Sequence, residues 1–311
     1  MANTSKASNK SMAAVKQQFK SAGVYYTGSA LAEYIKSFIP DNVTEVYDPT
    51  CGGGALLAVF SDGVRKYGQE LDEAQAQETA ANLVNSEIVG GDTLLHPAFR
   101  GKQFEAIVAN PPFSVKWSPD QVAADDERFR DAPCLPPPGK ADYAFLLHIL
   151  HSLSPTGTAA VLNFPGVLYR GQREGKIRRW LVEQNVIDSV ELVEGGYFED
   201  TGISTALIVM KKNRTEDYVT MRLHESGAER QVPISEIRAH DFTLSPNTYI
   251  VIEESKPEID PHALEAAARR DALRKIEAEI QFSKMVAEFE GWDYNDFLDD
   301  IISVVNKYRQ Q

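Results

Sequence analysis

The sequence predicts an α/β fold with a mostly parallel sheet, and two patterns lead to that prediction. From about residue 23 to residue 213, short apolar runs alternate with longer amphipathic segments, as in chains that alternate strands with helices. One of the apolar runs enters the glycine-rich stretch "DPTCGGG", and a helical segment follows it at once. Strands connected through helices in this way lie parallel in one sheet.

The elements follow in order along the chain. Helices are predicted where apolar residues recur every three or four positions, at "LAEYIKSFI", "ALLAVFSDGV", "EAQAQETAANLV", "ADYAFLLHILHSL" and "EGKIRRWLVEQ". Strands are predicted at the short runs between them, "VTEVYD", "KYGQELD", "SEIVGGDTL", "FEAIVANPPF", "GTAAVLNFP", "IDSVELVEG" and "STALIVMKK". We therefore expect a domain of about seven strands at residues 23–213.

The character of the chain changes on both sides of this domain. We expect a tail or short helix at residues 1–22, a small β extension at 214–256 and a helical arm at 257–311. The extension is suggested by "DYVTMRLHES" and "LSPNTYIVIEE". In the arm, Asp260-Pro261 is typical of a helix start and Gly291 of its end, and a second helix is predicted at "DYNDFLDDIISVVNKY". Such helices either cap the core or dock another subunit.

Composition and charge narrow the class of protein. The chain has 311 residues, 43% of them hydrophobic, and no run approaches the length of a membrane span. Cys51 and Cys134 supply neither a disulfide framework nor a metal cluster, so we expect a cytoplasmic protein without a metal site. The net charge of −13 argues against a protein that binds DNA without a partner protein. The best basic candidate is "RGQREGKIRR", residues 170–179.

The glycine turn, residues 52–54, is the first candidate binding element. Gly52, Gly53 and Gly54 allow positive φ and close approach of a ligand to the backbone, and the next helix offers free amides. The spacing is neither that of a dinucleotide fingerprint nor that of a phosphate loop. Asp48, just before the turn, would repel a pyrophosphate but suits a ligand that carries an ammonium and a sulfonium. A purely structural turn explains the glycines equally well when they are taken alone.

Two acidic residues end the next two strands. Glu70, in "YGQELD", is placed to accept both ribose hydroxyls of an adenosine. Asp92, in "GGDTL", can accept the adenine amino group. Because open α/β sheets bind ligands at the carboxyl ends of their strands, we expect the glycine turn, Glu70 and Asp92 to form one site.

The fourth strand ends in Asn110-Pro111-Pro112-Phe113, which we call the corner. Two prolines fix φ twice and remove two backbone donors, so neither strand nor helix continues. The Asn110 side-chain oxygen and the Pro111 carbonyl can both accept hydrogen bonds from one NH₂ group, and Phe113 offers a flat face for a base. Methylation of an aromatic exocyclic amine requires these features. A proline-rich strand exit with a core Phe is the simpler explanation of the tetrapeptide in isolation.

Taken together and in order, several blocks resemble the modification (M) subunit of type I restriction–modification systems, an adenine-specific DNA methyltransferase family. The blocks are "DPTCGGG", "GQELD", "GGDTL", "VANPPFSVKW", "ADYAFLLHILHSL", "GVLYRGQREGKIRRWLVEQNVIDSVELVEGGYF" and "TGISTALIVMKK". Upstream, "AGVYYTGSALAEYI" is similar to the family's Tyr-Thr-Pro segment, which caps the methyl donor. The resemblance covers about residues 23–213 and the later block "DFTLSPNTYI".

The resemblance implies a class I, Rossmann-like methyltransferase with a seven-stranded sheet. It implies that S-adenosylmethionine contacts Val24, Tyr25, Tyr26, Thr27, Gly28, Ser29, Asp48, Gly52, Gly53, Gly54, Glu70 and Asp92. The catalytic residues would be Asn110, Pro111, Pro112 and Phe113, which would hold an adenine that has left the duplex. The amine itself would attack the methyl carbon, so Cys51 is not expected to be a nucleophile.

The resemblance also implies partners and shows departures. Its members methylate DNA, take their sequence choice from a specificity (S) subunit, and assemble with a second M subunit and a restriction subunit; no membrane is involved. In this chain Gly28 replaces the family's proline, and the glycine turn reads Gly-Gly-Gly-Ala where the family more often has Gly-Ser-Gly-Gly. About twenty residues precede Gly23, where the family usually carries a helical domain that helps enclose DNA.

Two alternatives remain open at this point. Enzymes that methylate RNA, or the glutamine amide of a release factor, also carry an Asn-Pro-Pro corner, but they usually continue with Tyr. Phe113 and the block "ADYAFLLHILHSL" favour the DNA enzyme. The other alternative is a non-catalytic relative that only binds partners, against which the intact Asn110, Glu70 and Asp92 argue. His148 and His151 lie one helical turn apart without a third metal ligand, so we expect them to be packing residues.

Overall fold

The computed structural model describes residues 27–122, 125–195, 204–252, 261–291 and 293–309. The chain divides into two compact units, the first ending at Ile252 and the second spanning Glu253–Gln311. The predicted tail at residues 1–22 lies outside the described residues, as do Val24, Tyr25 and Tyr26.

The first unit is a single sheet with helices on both faces. Its strands are β1 Glu45–Asp48, β2 Arg65–Glu70, β3 Ser86–Gly90, β4 Phe104–Ala109, β5 Leu153–Asn163, β6 Ile187–Val193, β7 Thr205–Lys211, β8 Tyr218–Leu223 and β9 Ala228–Pro233. Its α-helices are α1 Ser29–Lys36, α2 Ala55–Ala58, α3 Glu73–Asn82, α4 Glu127–Arg130, α5 Asp142–Ser152, α6 Gln172–Glu183 and α7 Ile234–Ala239. Short 3₁₀ helices occupy Pro119–Gln121, Pro165–Leu168 and Pro246–Thr248.

The strand order places a crevice at the middle of the sheet. The order is β3-β2-β1-β4-β5-β7-β6-β8-β9, with β1 to β5 parallel and β7 antiparallel to both β5 and β6. After β1 the chain builds β2 and β3 on one side and then returns to build β4 on the other side. The order therefore reverses between β1 and β4, and ligands of open α/β sheets bind at the carboxyl ends of the strands beside such a reversal.

The seven strands expected at residues 23–213 are β1 to β7, but within the described residues the sheet has nine strands, because the β extension adds two more to it. β8 pairs with β6 and β9 pairs with β8, which makes both strands part of the same sheet. β9 has no apolar signal in the sequence, because its residues "AERQVP" are mostly polar and remain exposed on the outermost strand of the sheet. The strand expected at "LSPNTYIVIEE" is also wrong: it contains the Pro246–Thr248 3₁₀ helix, and Pro246 has no amide to donate to a ladder.

The core lies in two layers, one on each face of the sheet. In β4, Ile107 and Val108 are both fully buried and point to opposite faces, as successive strand residues do. Ile107 packs among residues of α5 and α6, and Val108 packs among residues of α1 and α2. A strand covered on both faces needs a continuous apolar run, which explains why "FEAIVA" lacks polar alternation.

Helices α2 and α5 show two different outcomes of the helix predictions. α2 is only four residues long, because the chain must turn at Asp62-Gly63 to enter β2 at Arg65. α5 is buried nearly all round, as its apolar sequence predicts. Within it, the Nε2 atom of His148 lies 3.1 Å from the Tyr47 hydroxyl, and burial lowers the histidine pKa to about 3. His148 is therefore a neutral packing residue.

The described residues of the second unit form two helices, α8 Pro261–Glu290 and α9 Tyr294–Arg309. Gly291 separates them with a φ of 75°, and the Tyr294 hydroxyl donates to the Ile280 carbonyl at 3.1 Å. Large apolar side chains remain exposed on both helices, among them Phe282, Met285, Phe289, Ile302, Val305 and Tyr308. In the described ranges, no helix has the length and apolar character needed to cross a bilayer.

Candidate active site

Four neighbouring strand ends bring the predicted polar residues to one edge of the sheet. β1 ends at Asp48 and β2 at Glu70, while Asp92 follows β3 by two residues and Asn110 follows β4 directly. Because these strands are adjacent and parallel in the order β3-β2-β1-β4, the four residues lie at the same edge of the sheet, at the carboxyl ends of the strands. The sequence spacing alone had suggested this grouping.

The glycine turn has one packed side and one open side. Gly52 and Gly54 have φ values of 50° and 80°, which L-residues with side chains rarely adopt. A Cβ atom on Gly54 would lie 2.8 Å from side-chain atoms of Thr79 and Leu83 in and after α3. On Gly52 or Gly53 it would meet no described atom within 4 Å. The turn therefore needs Gly54 for packing and leaves the backbone of its first two glycines accessible to a ligand.

Glu70 is bonded to the glycine turn. Its Oε2 atom accepts from the Gly52 amide at 2.9 Å, and its Oε1 atom accepts from the Asp72 amide at 3.0 Å. Thr79 holds the same turn from the other side, since its hydroxyl donates to the Gly52 carbonyl at 2.7 Å. A carboxylate has about four acceptor positions, so both oxygens of Glu70 keep capacity for a diol.

Asp48 is buried directly beneath the crevice, with a relative exposure of 1%. Its Oδ1 atom accepts from the Thr50 amide at 2.9 Å. The pKa of Asp48 is raised to about 7, mainly by burial. The hydrogen bond from the Thr50 amide opposes this rise, and the charge of Glu70 adds to it. A cation placed in the crevice would favour the charged form of this carboxyl.

Asp92 is fixed at the end of β3 by the loop that follows it. Its Oδ1 atom accepts from the amides of Leu94 and Leu95 at 2.8 and 3.2 Å. The Arg128 guanidinium supports this loop, donating to the Thr93 and Leu94 carbonyls at 2.9 and 2.7 Å. The carboxylate of Asp92 is half-buried and belongs to the same edge as Glu70.

The corner contacts the start of the described chain. The Asn110 side-chain NH₂ donates to the Thr27 hydroxyl at 3.0 Å, which leaves its side-chain oxygen as the acceptor for a ligand. Thr27 is buried, Gly28 precedes α1, and Ser29 begins α1 with an exposed side chain. Phe113 is half-buried and packs against the core layer of α1 and α2.

Sequence reasoning missed Asn163, at the end of β5. Its side chain is fully buried, and neither its nitrogen nor its oxygen forms a hydrogen bond within the described part of the chain. β5 is the neighbour of β4, so this amide lies at the strand end next to the corner. The available signal was a polar residue that closes the apolar run "AAVLN".

Only part of the basic segment at residues 170–179 is exposed, although its sequence suggested a basic surface. Arg178 is buried and donates to the carbonyls of Val167 and Phe242 at 3.2 and 2.8 Å. Arg170 is half-buried and also points inward. The exposed cations of this segment are Arg173, Lys176 and Arg179.

The strand order, in which an antiparallel β7 lies between β5 and β6, is that of a class I methyltransferase fold. Sequence comparison then assigns the family: the model of the N-6 DNA methylase family matches residues 11–231, and the chain belongs to this family. The match favours the DNA methylase interpretation over the alternatives that the sequence had left open.

The similar proteins include methylase subunits of type I restriction enzymes. The chain is 29% identical to a type I restriction enzyme methylase subunit of Mycoplasma pneumoniae, over 89% of this chain and 63% of that protein. It is 24% identical to the corresponding subunit of Haemophilus influenzae, over 85% of this chain and 73% of that protein. The crystal structure of a type I methyltransferase subunit from Streptococcus thermophilus superposes with a TM-score of 0.65 and 28% identity, covering 72% of this chain and 58% of that one. The chain thus spans less than two thirds of the Mycoplasma protein and of the Streptococcus structure.

Proposed function

We propose that the chain is an adenine-specific DNA methyltransferase that uses S-adenosylmethionine and acts as the M subunit of a type I restriction–modification system. The observation that carries this proposal is the corner at the end of β4, which lies at the same edge of the sheet as the glycine turn, Glu70 and Asp92. Membership of the N-6 DNA methylase family supports it. So do relatives described as type I methylase subunits.

The residues of the crevice fit S-adenosylmethionine. The accessible backbone of Gly52 and Gly53 gives room for close approach, and both oxygens of Glu70 can accept ribose hydroxyls. Asp48, Glu70 and Asp92 make the edge acidic, which favours a ligand with an ammonium and a sulfonium and disfavours a pyrophosphate. Thr27, Gly28 and Ser29 would contribute from the start of α1 to the cap over the cofactor. When bound, the cofactor supplies a methyl group on an electron-poor sulfur.

The corner would hold and polarise the target amine. Asn110 Oδ1 and the Pro111 carbonyl are neutral acceptors, so they can bind both amine hydrogens and stabilise positive charge that develops on the nitrogen. Pro111 and Pro112 make the corner rigid, which keeps these acceptors in place before the substrate arrives. Phe113 would stack on an adenine turned out of the duplex. No side chain of the corner is required as a nucleophile.

Partners follow from the same proposal. Sequence recognition on DNA would come from a specificity subunit, and a second M subunit and a restriction subunit would complete the assembly. The net charge of −13 and the few exposed cations of residues 170–179 agree with DNA held mainly by a partner. The exposed apolar side chains of α8 and α9 offer a docking surface. A DNA enzyme of this kind would act in the cytoplasm.

Calorimetric titration with S-adenosylmethionine tests the cofactor part of the proposal. We expect the wild-type chain to bind and Glu70→Ala to lose binding by about 100-fold or more, since two hydroxyl contacts to a charged acceptor are removed. Glu78→Ala, an exposed glutamate on α3, is the matched control and should bind as the wild type does. Equal binding by Glu70→Ala and Glu78→Ala would refute the assignment of Glu70.

A further inference from the structure

The residue that follows the corner has an unfavourable backbone conformation. Ser114 comes directly after Phe113, and its φ is 53°, in the left-handed region that side-chain-bearing residues avoid. Conformations of this kind persist only where the surrounding contacts hold them. The chain is therefore held against its own preference at the point where it leaves the corner.

Asp142 provides the contacts that hold Ser114. It lies 28 positions later, as the first residue of α5, and its relative exposure is 1%. Oδ1 of Asp142 accepts from the backbone amide of Ser114 at 2.9 Å, and Oδ2 lies 3.4 Å from the Ser114 hydroxyl. A second tie runs alongside, since the Ala141 amide donates to the Val115 carbonyl at 2.8 Å. A buried carboxylate on a backbone amide makes a charge-assisted bond, which is stronger than a neutral one.

Arg170 completes the cluster. Its Nη1 atom lies 3.5 Å from Asp142 Oδ2 and 3.4 Å from Oε1 of the buried Glu174. Its Nη2 atom donates to the Ser114 hydroxyl at 3.2 Å. One guanidinium thus connects the residue after the corner with two buried carboxylates, so neither carboxylate is left as an uncompensated charge.

The position of Arg170 is itself fixed. A Cβ atom on Gly166 would lie 2.5 Å from Arg170 Nε, so only glycine leaves room for the guanidinium. The ring of Phe164 lies 5.3 Å from the guanidinium carbon, and Arg178 donates to the Arg170 carbonyl at 2.7 Å. These contacts explain why Arg170 points inward although its sequence neighbourhood is basic and polar.

We propose that Asp142 and Arg170 are positioning residues of the active site, which act through Ser114 to set the corner relative to the cofactor crevice. The inference rests on the proposed function, because it assigns the corner to substrate binding. Neither side chain is assigned contact with the adenine or with the cofactor. Their effect would be on how often Asn110, Pro111 and Phe113 occupy the productive geometry.

Hydrogen exchange of the chain tests directly whether Asp142 holds Ser114, and with it the corner, in place. In Asp142→Ala, we expect the amides of Asn110 and of residues 113–116 to exchange about tenfold faster or more, because the charge-assisted bond to Ser114 is lost. The matched control is Asp188→Ala. Asp188 pairs with Lys211 and Arg214 at 3.0 and 3.2 Å at the start of β6, on the opposite edge of the sheet. Unchanged exchange at Asn110 and at residues 113–116 in Asp142→Ala would overturn the proposal.

Substitutions of Ser114 provide a second test that does not depend on how well Asp142→Ala folds. Glycine adopts a positive φ freely, whereas valine, which is β-branched, resists it. In the chain assembled with its partner subunits on unmethylated DNA, Ser114→Gly should keep kcat within about twofold. Ser114→Val should lower kcat about tenfold, with the KM for DNA and the Kd for S-adenosylmethionine unchanged. A kcat for Ser114→Val equal to that of the wild type would count against positioning through this residue.

A rescue experiment separates positioning from general stability. Ser114→Gly added to Asp142→Ala should recover part of the lost kcat, because glycine needs less help to hold the turn. A merely structural role of Asp142 predicts no recovery, since the buried cavity left by the missing carboxylate remains. Absence of any recovery, with Ser114→Gly alone fully active, would contradict the proposal.

The exchange measurement requires neither DNA nor methyl transfer, so it separates this proposal from the proposed function. If the wild-type assembly transfers no methyl group while residues near the corner exchange faster in Asp142→Ala, the proposed function is refuted. The contact by which Asp142 holds the corner is then still supported. If methyl transfer occurs while neither exchange nor kcat responds to Asp142→Ala, the function stands and the positioning role is overturned.

Discussion

Asp48 is the site carboxyl whose protonation changes near neutral pH. Burial raises its pKa from 3.8 to about 7. Because the folded pKa lies above the unfolded one, the folded chain keeps a proton between about pH 4 and pH 7 that the unfolded chain has lost. This group therefore favours the fold at low pH, and that contribution disappears as the pH rises through about 7. Ligand binding can offset the cost, since a cation in the crevice stabilises the carboxylate.

We expect Asp48→Asn to stabilise the ligand-free chain at pH 8, by up to about 4 kcal/mol for a shift of about three pKa units. At pH 4 the two chains should be equally stable, because the carboxyl is then protonated when folded and close to its unfolded pKa. Urea unfolding at the two pH values measures the difference. Asp41→Asn replaces an exposed aspartate and is the control. If Asp48→Asn differed from the wild type by the same free energy of unfolding at pH 4 and at pH 8, the raised pKa assigned to Asp48 would be wrong.

Among single residues, the sequence predicted that Glu70, Asp92 and Asn110 lie at or just after the ends of neighbouring strands, and the structure places them there. Their roles in binding and catalysis stay predictions. Asn163 and the contacts of Asp142 were not predicted. The contact of Ser114 with Asp142 spans 28 positions and its contact with Arg170 spans 56, and no local pattern marks pairs so far apart. Such long-range buried contacts are set by packing.

The elements of the fold were predictable where apolar periodicity was strong. β4 and α5 are buried nearly all round, and their sequences show it. β9 is polar and at the edge, so it had no such signal, and α2 is shortened by the turn that the chain needs before β2. Edge position and connection length belong to the tertiary structure, which explains why these two elements could not be read from local sequence.

The glycine turn before α2 depends on the positive φ and the close packing of Gly54. We expect Gly54→Ala to destabilise the chain by about 2–4 kcal/mol, because alanine resists a φ of 80° and its Cβ would lie 2.8 Å from Thr79 and Leu83. Gly53→Ala is the matched control, since Gly53 has no positive φ and its Cβ would meet no described atom within 4 Å. It should change stability by about 0.5 kcal/mol or less. Denaturant unfolding compares the two, and equal losses would argue against the described turn geometry.

At the scale of the whole molecule, the chain combines an α/β unit that carries the site with a helical unit that carries exposed apolar side chains. On α8, Phe282 is 63% exposed and Phe289 is 92% exposed. Exposed aromatic side chains of this size are typical of interaction surfaces. The helical unit therefore supports the proposal of a partner, while the α/β unit supports the chemistry.

We expect the double variant Phe282→Ser and Phe289→Ser to stop co-purifying with its partner subunit, because large apolar contacts are removed. Its Kd for S-adenosylmethionine should stay as in the wild type, since the crevice lies in the other unit. Lys284→Ser, an exposed position on the same helix, is the control. Undiminished co-purification of the aromatic double variant would exclude these side chains as the docking surface.

Methyl transfer to adenine in DNA is tested most directly by mass spectrometry of nucleosides. The DNA is first incubated with the chain, its partner subunits and isotopically methyl-labelled S-adenosylmethionine. The wild type should produce labelled N6-methyladenine. Asn110→Ala should produce none while it binds the cofactor with an unchanged Kd, because Asn110 acts on the substrate amine. A wild-type assembly that binds both cofactor and DNA yet forms no N6-methyladenine would contradict the account, and so would Asn110→Ala with full activity.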